Sequence, residues 1–200
     1  MKNFFTKIWN FIKWLFGCNN ECKNSKKIYF TNNIAKYNSE LNVEHLISMD
    51  RQYMYTNYAK DYRWFETCIT LKDFLDEEND GTITSVSNIF QVVELIGNGA
   101  NVHVIFATHT PDDTSYDVKH SFWIEDHVLN DEVIKVTFKE AYEKLMSTNC
   151  PKPHSKHVVL RKEIGLVDAN PQYIFGNSEA QVYVDAITGD VNTNNPAYSK

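Results

Sequence analysis

The spacing of hydrophobic and polar residues changes character several times along the chain. In residues 1–17, at about 100° per residue, Asn3, Thr6, Lys7, Asn10 and Lys13 fall on one side of a helix. Phe4, Phe5, Ile8, Trp9, Phe11, Ile12, Leu15 and Phe16 fall on the other, with Trp14 near the boundary. This predicts a strongly amphipathic helix that stops at Gly17. Residues 18–33, CNNECKNSKKIYFTNN, read as a polar linker. Two helices are expected next. The first follows Ser39 as N-cap and turns Leu41, Leu46, Ile47 and Met49 inward. The second carries Trp64, Phe65, Cys68, Ile69, Leu71, Phe74 and Leu75 on one stripe. Between them, Tyr53, Tyr55, Tyr58 and Tyr62 form either a binding face or a set of half-buried helix positions.

The period then shortens. SVSNIFQVVELI, NVHVIFATHT and SYDVKHSFWIEDHVL are rich in β-branched and aromatic residues, and GNGAN and TPDDTS separate them, so a three-stranded antiparallel meander is expected. TFKEAYEKL starts a short helix with Thr137 and Glu140 as a capping box. Three more strands follow in KHVVLRKE, PQYIFGN and AQVYVDAITGDV, the last a hairpin in which Asp185 caps the turn and Gly189 takes positive φ. The fold class is α+β: antiparallel sheet with helices on one face, preceded by the amphipathic helix. The expected units are residues 1–17, the linker 18–33, an α+β domain over 34–135 and an αβββ module over 136–200. The two halves show no residue-level repeat.

Charge sharpens the picture. Residues 1–27 hold six lysines and one glutamate, a net +5, so the rest of the chain carries −11 of the overall −6. A basic apolar head on an acidic body calls for an anionic partner of the head, a protein face or a lipid surface, and argues against nucleic acid as the partner of the body. A helix of fourteen residues is about 21 Å long, too short to cross a bilayer. Three other readings of the head stand beside a helix docked on a partner protein. It is a membrane-surface helix, a helix packed on its own domain, or a cleaved signal in which LFGC serves as a lipobox and Cys18 is lipidated. Lys7, Asn10 and Lys13 interrupt the apolar run that a signal requires.

From Thr137 to Val191 the layout resembles a PepSY-type module, carried by TFKEAYEKLM, HVVLRKE, QYIFG and the terminal VYVDAITGDV. The residues that match the family's ending are Val184, Asp185, Ala186, Thr188, Gly189, Asp190 and Val191. That resemblance implies a non-catalytic module of the cell envelope that binds peptide or modulates a peptidase. Across the whole chain, DRQYMYTNYAKDYRWFE, PKPHSKHVVLRKE and DANPQYIFGN are similar to stretches of small virion proteins of crAss-like tailed phages. This second resemblance implies a structural part of a particle, such as a head–tail connector or tail ring.

Reactive side chains are few. Cys150, His154 and His157 form C-x3-H-x2-H, and Cys18 and Cys22 form C-x3-C, but zinc needs four converging ligands and Pro151 and Pro153 make the first cluster a rigid turn. A cysteine hydrolase would pair Cys68 or Cys150 with His103, His109 or His120. No metal or cofactor is expected. The reading is a non-enzymatic assembly protein of a virion that docks on other protein chains through Phe4, Phe5, Ile8, Trp9, Phe11, Ile12 and Leu15, as a homo-oligomer. The alternatives are the envelope protein and the cysteine hydrolase.

Overall fold

A computed structural model describes residues 26–29, 41–58, 62–96, 99–123 and 126–198. The expected N-terminal helix and linker, except for residues 26–29, lie outside the described residues. Among those described are β1 (Lys26–Tyr29), α1 (Val43–Tyr58), β2 (Tyr62–Leu71), β3 (Ile83–Ile96), β4 (Gly99–His109) and β5 (Thr114–Lys119). They are followed by β6 (Asp126–His127), α2 (Phe138–Ser147), β7 (His157–Glu163), β8 (Gln172–Gly176), β9 (Gln181–Asp185) and β10 (Val191–Asn192). The strands pair antiparallel in the order β1-β5-β4-β3-β2-β7-β8-β9-β10, with β6 on β7. Helix α1 followed by the meander β2 to β5, and α2 followed by the meander β7 to β10, are thus two topological copies of one unit. They join through their first strands, and the sheet runs unbroken across the expected division at residue 135.

One row of Cα partners crosses seven strands: Tyr116, Ala107, Asn88, Thr67, Leu160, Tyr173 and Val184. All seven are buried. Both helices lie on this face. α1 contributes Val43, Leu46, Ile47 and Met54, and α2 contributes Phe138, Ala141, Tyr142 and Leu145 to the same core. The adjacent row on the other face reads Phe106, Ile89, Glu66, Arg161, Gln172 and Asp185, and is polar at its centre. Alternation along each strand separates the two rows.

The helix termini follow local chemistry. Asn42, not Ser39, caps α1: its Oδ1 accepts from the His45 N–H at 2.8 Å. Thr137 and Glu140 bond reciprocally at the start of α2, as expected. The last hairpin is also as expected: Asp185 Oδ1 accepts from the amides of Ile187 and Thr188, and Gly189 has φ 78°.

Besides the cap of α1, three expectations are corrected. Lys26–Tyr29, expected within the polar linker, is strand β1 on the edge of β5. The stretch expected as the second helix is strand β2 over Tyr62–Leu71. Its apolar residues look helical because a bulge inserts Phe65 between Trp64, opposite Phe90, and Glu66, opposite Ile89. The extra residue breaks the period of two, and the flanking alternation of Thr67, Ile69 and Leu71 against Glu66, Cys68 and Thr70 is that of a strand. The run SYDVKHSFWIEDHVL, expected as one strand, splits into β5 and the two-residue β6 on a different neighbour.

Helix α1 also buries a carboxylate. Asp50 is fully enclosed; its Oδ2 accepts from Asn88 Nδ2 at 2.7 Å and faces His109 Nε2 at 2.8 Å, while its Oδ1 accepts from the Tyr116 hydroxyl at 2.9 Å. Burial and the neighbouring Asp50 push the Tyr116 hydroxyl pKa far up, so it stays a donor. Asp50→Ala leaves those partners unsatisfied in the core and should cost about 3–5 kcal/mol in urea unfolding. Gly189→Val, which forces a β-branched residue to positive φ against the Lys144 side chain, should cost more than about 1 kcal/mol. An unchanged melting temperature in either variant would contradict the corresponding assignment.

Candidate functional site

A cleft of about 230 Å³ opens on the helix-covered face, above the strands that join the two halves. Ile47, Trp64, Leu160 and Tyr173 supply its apolar lining, and Glu44, Ser48, Asp131 and Lys135 its polar groups. The walls are tied together. Glu44 Oε1 accepts from the Phe138 N–H at 2.7 Å, so a carboxylate of α1 sits at the positive end of α2. The Tyr173 hydroxyl donates to Val136 O at 3.0 Å, and the amides of Lys135 and Val136 both donate to Ala186 O. Arg51 pairs with Asp131 at the outer edge. Trp64 is held from below, its Nε1–H donating to Glu66 O at 3.1 Å and Thr67 Oγ1 at 3.2 Å. Pockets for drug-sized ligands run from about 300 to 1,000 Å³. This one has room for one or two side chains, and its acid on the helix side is already committed to a backbone amide.

On the opposite face, directly below the same strand pair, lies a charge cluster in which Glu66 and Asp126 are buried and Arg161 and Glu163 half-buried. Arg161 pairs with Glu163 and lies 3.8 Å from Glu66 and 3.7 Å from Asp126. Trp123 Nε1–H donates to Asp126 Oδ2 at 3.1 Å, and the Trp123 amide donates to Gln91 Oε1 at 2.7 Å. The Cys68 thiol donates to Glu66 Oε1 at 2.9 Å, and Asn195 Nδ2 donates to Glu163 Oε2 at 2.5 Å. Burial, opposed by Arg161 and Trp123 and reinforced by Glu66, pushes the Asp126 carboxyl up to about 7. Burial and the Glu66 carboxylate drive the Cys68 thiol far above its ordinary range.

The expected partner-binding residues Phe4, Phe5, Ile8, Trp9, Phe11, Ile12 and Leu15 lie outside the described residues. The tyrosine set divides: Tyr53 stacks on Tyr116 at 4.1 Å, Tyr62 meets the Phe90 ring edge at 6.0 Å, and Tyr55 is exposed. His154 stacks on Phe74 and bonds to Asp76, while the Cys150 sulfur lies 3.8 Å from Lys152 Nζ. Among the described residues no group of three or more candidate ligands converges on a metal position. Of the cysteine–histidine pairings considered, Cys68 and His109 lie on opposite faces of the sheet, the first bonded to Glu66 and the second to Asp50. Trp64 was legible only as an apolar position of the expected second helix, and Leu160 and Tyr173 only as members of expected strands. Glu66, Asp126 and Arg161 carried no sequence signal, since each is an ordinary polar residue within an expected helix or strand.

Comparison with known proteins finds no matching family model, no similar curated protein and no similar solved structure.

The half-buried thiol beside Glu66 makes a direct prediction. In the folded chain at pH 8, Cys68 should react with iodoacetamide at least about a hundredfold more slowly than in the urea-unfolded chain, since the thiolate is the reactive form. Mass spectrometry of alkylated peptides reads the rate, and rapid modification of Cys68 would refute the hold of Glu66 and partial burial on the thiol.

Proposed function

We propose that the chain is a non-enzymatic assembly protein in which the N-terminal segment of one copy docks into the cleft of the next. The observation that carries this reading is the cleft itself: an apolar floor with tied walls and room for one or two side chains. A buried aromatic or aliphatic anchor in a small pocket is the usual centre of a protein interface. The head supplies such anchors. Ile8, Trp9 and Ile12 lie within about one helical turn at the spacing read from the sequence. Its +5 charge complements the −11 of the remaining chain.

The cleft of a second copy, rather than the chain's own, is the one that an assembly protein requires, because only contacts between copies extend into a larger particle. A head-to-tail contact of this kind is heterologous, and it closes into a ring when the rotation between copies allows. That suits the structural part of a tailed-phage particle implied by the second resemblance. The helix-then-four-strand order of the C-terminal third favours a second reading, a PepSY-like envelope protein whose cleft takes a peptide side chain.

Sedimentation of the full chain across concentrations tests the reading. Wild type should associate. Ile12→Asp, which damages the peg, and Ser48→Trp, which fills the cleft from an exposed position, should each remain monomeric. Mixed together, they should form a one-to-one dimer, because each retains the half that the other lacks. Each buried anchor is worth roughly 1.5–3 kcal/mol, so Trp9→Ala should weaken association more than tenfold, while Lys7→Gln with Lys13→Gln should weaken it slightly. Concentration-independent monomers, or binding of the lysine-bearing head to anionic liposomes without self-association, would overturn the proposal.

A further inference from the structure

The β4–β5 ladder ends on a pair of histidines. Its last residue pair is Val104 with Lys119, which makes His103 and His120 the next residue on either strand. Alternation along β4 puts His103 on the face of Ile105 and Ala107, and alternation along β5 puts His120 on the face of their partners Val118 and Tyr116. The two imidazoles therefore leave the sheet on one side. His120 is exposed and His103 half-exposed, so solvent reaches both. Lys119, between Val118 and His120, turns to the other face and holds its Nζ 4.4 Å from the Phe106 ring centre, so no ammonium from this neighbour stands beside the rings.

The rings meet with centroids 4.5 Å apart and planes inclined by 56°, tilted rather than stacked. That separation has a chemical meaning. A metal–imidazole bond is about 2.0–2.1 Å, and the ring centre lies about 1.1 Å beyond the nitrogen, so a bound ring is centred about 3.2 Å from the metal. Two such rings at a right angle about the metal are centred about 4.5 Å apart, and at the tetrahedral angle about 5.2 Å. The observed spacing is that of adjacent ligands in a square or tetragonal site, the geometry of copper(II) and nickel(II). The Nδ1 of His103 is buried, which leaves Nε2 as the ligand nitrogen of that ring. Among the described residues no third candidate ligand joins the pair, so water completes the coordination.

We propose that His103 and His120 form a cross-strand chelate for a divalent transition-metal cation of tetragonal preference, copper(II) or nickel(II), with water at the remaining positions. The bound cation joins β4 to β5 where their main-chain pairing stops. It binds the folded chain alone, because only the strand register brings the two rings together, and so it stabilises the fold in step with its occupancy. Neither histidine lines the cleft, and the chelate forms whether or not a peg is docked there.

Nickel(II) chloride titrated into the full chain tests the site, followed by NMR of the histidine rings and by thermal melting. Nickel(II) broadens the resonances nearest to it and leaves the cysteine thiols unoxidised. The ring signals of His103 and His120 should broaden together at less than one ion per chain. The melting temperature should rise with the metal and return when EDTA is added. His103→Ala and His120→Ala should each weaken binding at the remaining histidine by more than about tenfold, because the second imidazole binds intramolecularly. His154→Ala with His157→Ala should leave the pair's titration unchanged. His120 is exposed, so its variant keeps the wild-type melt in EDTA and decides the question by itself. Broadening that starts at other side chains and reaches the pair only at several ions per chain would overturn the chelate. So would undiminished binding in His120→Ala, or a melting temperature that nickel(II) raises equally in that variant.

Discussion

The antiparallel pairing of β2 with β7 is the constraint on which the rest of the structure depends. It is where the two helix-plus-meander units meet within the sheet, over five residue pairs from Glu66–Arg161 to Thr70–His157. Its register decides both faces at once. Thr67 opposite Leu160 continues the buried row beneath the helices, and Glu66 opposite Arg161 places the charge pair on the other side. A slip of one residue would turn the apolar row outward and bury the guanidinium under α1 and α2. The cleft above and the charge cluster below are therefore two consequences of one strand register.

Polar groups reinforce that register from within. A chain of hydrogen bonds runs from Trp64 in the cleft floor to Thr67, from Thr67 Oγ1 to Asn88 Oδ1 at 2.5 Å, and from Asn88 to Asp50 on α1. Each of these side chains is buried, so each bond missed in an alternative register would leave a costly orphan. Apolar burial supplies most of the stabilisation on this face, but it tolerates shifts of packing. The Asp50 network does not, because its donors and acceptors match only one placement of α1 over β3, β4 and β5. It positions the helix that forms one wall of the cleft.

The cleft and the charge cluster sit on opposite sides of a single pair of strands. The walls of the cleft are tied by the bonds of Glu44, Tyr173 and Ala186. The cluster instead gathers three carboxyl groups around one guanidinium. Arg161 and Trp64 lie on adjoining strands, so the two features share a scaffold without sharing a side chain.

Local chemistry was legible in the sequence wherever a few neighbouring residues decide the outcome. The capping box at Thr137 and Glu140, the turn from Asp185 to Gly189, the strands β3, β4, β7, β8 and β9, and the inward face of α1 all follow from periodicity and turn chemistry within short windows. β2 was misread because one bulged residue, Phe65, shifts the phase of an alternating strand into an apparent helical stripe. The repeat of helix plus meander leaves no mark on residue identity, since it resides in strand order. The cleft and the charge cluster were illegible for a related reason. Asp50 meets His109 59 positions away, Glu44 meets Phe138 94 away, and Glu66 meets Arg161 through strand pairing. In such sites the chemistry of each residue is ordinary and only its neighbours make it otherwise; burial and pairing, which the tertiary fold alone decides, push the Asp126 carboxyl and the Cys68 thiol up from their ordinary values.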